Sequence, residues 1–173
     1  MTAGQADRTP PRARRRPDLG IADALVQASF LVQAVLGELA AEQELSIVQM
    51  RLLGVLRDRE LRMAQLARIL GLTKSSTSGL VDRAERRGLV RRTAIPVGDE
   101  RAVHVVLSEE GRRLTAQLGA QVARRLEGAT EHLSPTNRGR LSGLLTDVVL
   151  HDAERHGIDL SAGQSSSAQR SVV

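Results

Sequence analysis

Between Leu72 and Gly88 the chain reads LTKSSTSGLVDRAERRG, a stretch rich in groups that hydrogen-bond anions. Ser75, Ser76 and Ser78 bring short hydroxyls, Lys74 a compact point charge, and Arg83 and Arg86 planar guanidinium forks. Such groups bind phosphate oxygens and the edges of bases. The same stretch is a poor helix by composition, because Ser75, Ser76, Thr77, Ser78 and Gly79 open it. Yet Thr77, Leu80, Val81 and Ala84 fall on one side of a helical wheel, Ser75, Gly79, Asp82 and Arg86 fall opposite, and Gly88 supplies a stop. The pattern predicts a helix anchored from behind by its apolar stripe, with a polar face chosen for contact rather than stability. Asp82 stands on that face, where phosphates repel it. Pairing with Arg86, four residues on, is the expected remedy, and acceptance of a cytosine amino group is the alternative.

Composition narrows the partner. The 173 residues suit one domain of ordinary size, and 25 basic against 20 acidic residues favour a polyanion. Phe30 is the only aromatic residue, which argues against stacking unpaired bases and leaves duplex DNA as the better polyanion. With no cysteine there are no disulfides, thiolate metal sites or thiol redox chemistry, and a cytoplasmic location is expected. Of the 25 basic residues 24 are arginine, so Lys74 at the helix entrance stands out.

Enzyme chemistry finds no foothold. The chain has no phosphate-cradling glycine loop, no HExxH, no nucleophile elbow and no thiol. His151 and His156 are five apart and splay around a helix, while His104 and His132 lie elsewhere, so no metal and no cofactor are expected.

The elements that position the polar face follow from periodicity and caps. Residues 1–18 form a basic, proline-rich arm with Arg8, Arg12, Arg14, Arg15 and Arg16, expected to be disordered. The overlapping RRRPDLGIADALVQASFLVQAVLGELA, from Arg14 on, superficially resembles a twin-arginine export signal, but Asp18, Asp23, Gln27 and Gln33 interrupt it, and no stretch is expected to reach the roughly 20 apolar residues of a membrane span. A first long helix runs from Ile21 to about Ala41, with Leu25, Ala28, Val32, Val35, Leu36 and Leu39 at helical intervals. Ser46 caps a second helix and Gly71 ends a short third, RMAQLARILG. After Gly88, LVRRT and AVHVVL read as strands of a small hairpin joined by AIPVGDER, whose Pro96 and Gly98 mark the turn. Ser108 caps a long helix whose first turn holds Glu109 and Glu110. Ser134 with Pro135 opens the last helix, and residues 159–173, rich in Ser, Ala, Gln and Gly, are expected to be a disordered tail.

Helices three and four meet across ARILGLT, where Gly71 tolerates left-handed dihedrals and Ala67 permits close approach, as in a helix-turn-helix. At the hairpin tip Asp99 is placed to hold Arg101, whose guanidinium suits the minor groove. Helix-turn-helix followed by such a hairpin is the winged-helix plan. The fold class is therefore mainly α with a small β-hairpin wing, flanked by long N- and C-terminal helices.

On LSIVQMRLLGVL, MAQLARILGLTKSSTSGLVDRAERRGLVRR and DERAVHVVLSEEGRRL, residues 20–156 resemble the MarR family of winged-helix transcriptional regulators. The resemblance implies a domain over 19–158: a DNA-binding lobe at 45–107, and dimerisation helices at 19–44 and 108–158. It implies a homodimer, a repressor-like role on double-stranded DNA, and a small-molecule effector in a cleft between helices and lobe. Independently, Leu114, Leu118, Val122, Leu126, Leu141, Leu145 and Val148 exceed what a small winged-helix core would cover. The expected DNA-contacting set is Lys74, Ser75, Ser76, Ser78, Gly79, Arg83, Arg86, Asp99 and Arg101, with Arg51 a weak candidate for pairing with an anionic ligand. The chain departs from the family pattern at Thr77, commonly aliphatic, at Gly79, where a basic residue is frequent, and in a wing about one residue longer. Either Gly79 lets the helix lie closer to the duplex or Arg83 replaces the lost contact. A non-specific architectural DNA-binding protein is the alternative function.

Overall fold

Hydroxyl caps set most of the helix starts. In a computed structural model that describes residues 19–97 and 100–158, Ser46 accepts from the Gln49 amide while the Gln49 side chain returns the bond, a reciprocal capping box. Ser108 caps on Gly111, and Ser134 caps on Asn137 with Pro135 at the first helical position. The order is α1 (Ile21–Glu42), α2 (Ile47–Leu56), β1 (Leu61–Arg62), α3 (Met63–Leu70), α4 (Lys74–Arg86), β2 (Val90–Val97), β3 (Glu100–Leu107), α5 (Glu109–Thr130) and α6 (Pro135–Arg155). Gly71 ends α3 at φ 67°, a left-handed conformation that costs glycine little, and it turns the chain into α4. The expected arm at 1–18, the tail at 159–173, and Gly98 with Asp99 lie outside the described residues.

Two features of the sheet correct the expectation of a hairpin with a broad turn. The strands pair through Ile95, Pro96 and Val97 opposite Ala102, Arg101 and Glu100. Proline is tolerated there because β2 is an edge strand in the order β1-β3-β2, so its missing N–H removes no ladder bond. The third strand, β1, pairs Leu61 and Arg62 with Val105 and His104, and two residues are too few to leave a periodic signature.

The core joins α1, α2, α3, α4, the sheet and the first half of α5. Leu39, Leu52, Leu53, Leu56, Leu66, Leu80, Val81 and Val105 are fully buried at its centre, and Leu114 and Leu118 close it from α5. At Gly111 the approach is closest: a Cβ built there would lie 1.9 Å from the Leu89 carbonyl oxygen. The same oxygen accepts from the Ser108 amide, and the Ser108 hydroxyl donates to the Gly88 carbonyl, so α5 starts flush against the root of β2.

Away from the lobe the helices are bare. Along α6 the one buried residue is Ala153, while Leu144, Val148 and Val149 are each more than half exposed. Leu25, Val26, Phe30 and Leu31 of α1 are exposed as well. Among the described residues α1 is long and apolar enough to cross a membrane, with a mean hydropathy of 1.5, which corrects the expectation that no stretch reaches that length. Between Asp23 and Glu38 the helix carries no charged residue, so only Gln27, Gln33 and a serine dilute its apolar run. Its last turns nevertheless pack on the core, with Leu39 and Ala40 buried.

Gly111→Ala is expected to lower unfolding stability by about 1–3 kcal/mol, the usual range for overpacking, because the obstacle is backbone. Gly54→Ala in α2, where the added Cβ meets nothing within 4 Å, should raise stability by about 0.5–1 kcal/mol through helix propensity. Urea denaturation of both variants measures the contrast.

Candidate nucleic-acid interface

Helix α4 begins on a hydroxyl cluster. Thr73 is the N-cap; its Oγ1 accepts from the Ser76 amide at 3.2 Å, donates to Ser76 Oγ at 2.9 Å and lies 3.1 Å from Ser75 Oγ. Helix N-termini leave amides unpaired and carry the positive end of the dipole. Lys74, Ser75 and Ser76 are exposed around that end, an arrangement suited to a phosphate oxygen. Thr73 itself escaped the reading of the sequence, although a threonine directly before the first helical residue is a capping signal.

Behind this face Thr77, Leu80, Val81 and Ala84 are all buried. Thr77 fits where an aliphatic residue is common because its hydroxyl donates to the Thr73 carbonyl at 2.9 Å, leaving only its methyl to pack. Ser78 and Gly79 are half-buried on the flanks, and Arg83 and Arg86 are exposed.

Asp82 does not pair with Arg86. It meets Arg92 of β2 at 2.5 Å, and Glu85 meets the same guanidinium through its other prong. The Arg92 amide also donates to Glu85, at 3.3 Å. Asp82 and Glu85 lie one turn apart on the flank that faces β2, so a strand residue reaches both. Arg92 is held above its ordinary pKa, first by the hydrogen bond to Asp82, with the charges of Glu85 and Asp82 reinforcing it against partial desolvation. One of the two negative charges on this flank is thereby offset from within the lobe. No local pattern announces a contact across ten residues of chain and a change of element.

Over Gly79 lies the side chain of Arg83. Arg83 Nη1 lies 3.4 Å from where a Cβ on Gly79 would sit, so the guanidinium folds across the glycine and occupies the space of the missing side chain. Arg101 stands in β3 opposite Pro96, and the expected pairing with Asp99 lies outside the described residues. Arg51 is exposed on α2. A groove of about 520 Å³ runs along α6, lined by Thr130, Arg138, Leu141, Leu145, Val149 and Leu150, and Arg51 is not among its walls.

Gly79→Arg should displace the Arg83 guanidinium and change affinity or base preference by about tenfold, the scale of one specific base contact. Titration of the variant against a panel of duplexes checks this, and unchanged affinity with unchanged preference would remove Gly79 from the recognition surface.

The MarR family model matches residues 43–102, which span the α1–α2 junction through the first residues of β3. Over 111 residues the chain is 31% identical to YfiV, an uncharacterised HTH-type transcriptional regulator of Bacillus subtilis (strain 168), covering 62% of this chain and 69% of that protein. The fold superposes on RV1404 from Mycobacterium tuberculosis with a TM-score of 0.64 and 28% identity, covering 82% of this chain and 95% of that one. It superposes on NadR in complex with 4-hydroxyphenylacetate with a TM-score of 0.63 and 25% identity, covering 81% and 97%. With a capped recognition helix, a paired wing and these relatives in agreement, the chain belongs to the MarR family of winged-helix transcriptional regulators.

Proposed function

We propose that the chain acts in the cytoplasm as a homodimeric repressor, binding a pseudo-palindromic operator sequence-specifically and releasing it when a small molecule binds. The observation that carries this reading is the surface of α4: hydroxyls and unshielded guanidinium groups on one side, a buried stripe on the other, and its two carboxylates drawn off by Arg92. The exposed apolar residues of α1 and α6 support a second copy as their cover, since a helix of 21 residues with one buried side chain gains little from its own chain. The solved complex of NadR with 4-hydroxyphenylacetate supports a small organic acid as effector. With a single phenylalanine, this chain would hold such a ligand by charge and aliphatic contact rather than ring stacking, and Arg51 remains the weak candidate for its carboxylate.

Light scattering should give twice the chain mass, and selection from a random duplex library should return paired half-sites roughly 10 base pairs apart. Competition separates this reading from the architectural one: if random duplex competes as well as the selected sequence, binding is architectural. Arg101→Ala is expected to weaken operator binding about tenfold and to reduce the logarithmic salt slope by about one unit, read by fluorescence anisotropy at several salt concentrations.

A further inference from the structure

Arg87, the residue that caps the C-terminal end of α4, takes no part in the surface described above. Its Nη1 donates to the Glu44 carbonyl at 2.6 Å and its Nη2 to the Gln43 carbonyl at 3.1 Å. Those oxygens end α1: Gln43 is its C-cap, and Glu44 is the one non-glycine among the described residues with a positive φ, 53°. Carbonyls at a helix C-terminus lack intrahelical partners and carry the negative end of the dipole, so a two-pronged cation matches them. The same end of α1 is gripped from α5, where Arg125 bonds Glu38 at 2.8 Å and Glu42 at 2.5 Å.

We infer that Arg87 is a positioning residue that ties the recognition helix to the base helices and so sets the half-site spacing the protein accepts. The inference rests on the dimeric-operator reading. Inside the lobe, α4 packs on α3 and β2 and is held by Arg92. These contacts fix the helix within the lobe, and the lobe meets the base through the core that α1 and α5 share with it. At the edge of that core Arg87 adds a polar tie to the end of α1, and the Leu89 carbonyl accepts from the Ser108 amide at the start of α5. The C-terminal end of α4 is thus clamped between the end of α1 and the start of α5, while the serine-bearing end is the far end of a lever. Thirteen residues make that lever about 20 Å long, so a tilt of about 10° moves its tip roughly 3.4 Å, the rise of one base pair. A small loss of restraint at Arg87 becomes a whole step of register at the DNA.

The test uses full-length wild type, Arg87→Ala and Arg87→Lys, the duplex that wild type selects from a random library, and versions of it with one or two base pairs added between half-sites. Thermal melts verify that each variant folds. Wild type should lose at least about tenfold in affinity per added base pair; Arg87→Ala should bind the parent duplex within about fivefold of wild type but separate the spacers by less than about threefold, and Arg87→Lys should fall between. Its salt slope should stay that of wild type, because no phosphate contact is lost. A variant that weakens every duplex equally, keeping the wild-type spacer ratio, overturns the inference, as does a reduced salt slope. Should Arg87→Ala not fold, the Arg87→Lys spacer ratio decides in the same way. If wild type itself selects no duplex or ignores the spacer, the dimeric-operator reading fails, and the inference falls with it.

Discussion

The burial of one stripe of side chains allows everything else on the recognition helix. Ser75, Ser76, Ser78 and Gly79 together cost α4 about 2–3 kcal/mol in helix propensity. Burying Leu80 and Val81 alone returns about 3–6 kcal/mol, before Ala84 and the methyl of Thr77 are counted. Packing therefore wins, and the outward face can be composed for contact with a ligand as close as a DNA groove. The sheet and α3 exist, in functional terms, to supply the surface that this stripe buries against.

Arginine does two different jobs in this chain, and partners separate them. Arg92 and Arg125 each sit between two carboxylates and act as struts between elements. Arg83 and Arg86 are exposed and are absent from the ion pairs found among the described residues, so their charge stays available to phosphate. The distinction is one of surroundings, since the side chains are chemically identical.

Local rules were legible and distant ones were not. Ser46, Ser108, Ser134 with Pro135, and Gly71 announced helix ends through chemistry that acts within four residues, and the structure places every one of those boundaries where it was expected. The apolar stripe of α4 obeyed the same logic. What escaped was tertiary: β1 is too short to carry a period, Pro96 hides a strand because its edge position excuses it, and Asp82 looked to its own helix for a partner that β2 provides. Gly111 stood within the quoted motif, yet only the Leu89 carbonyl beside it explains why no side chain is there.

The acceptors of Arg87 are main-chain oxygens, which every residue carries. Gln43 could be exchanged for many other residues without disturbing the bond, whereas position 44, at φ 53°, favours Gly, Asn or Asp as replacements. The Arg87 tie is therefore written in a side chain at one end only. Position 43 is free to vary without a matching change at Arg87, and the two ends of the tie would leave no correlated record there.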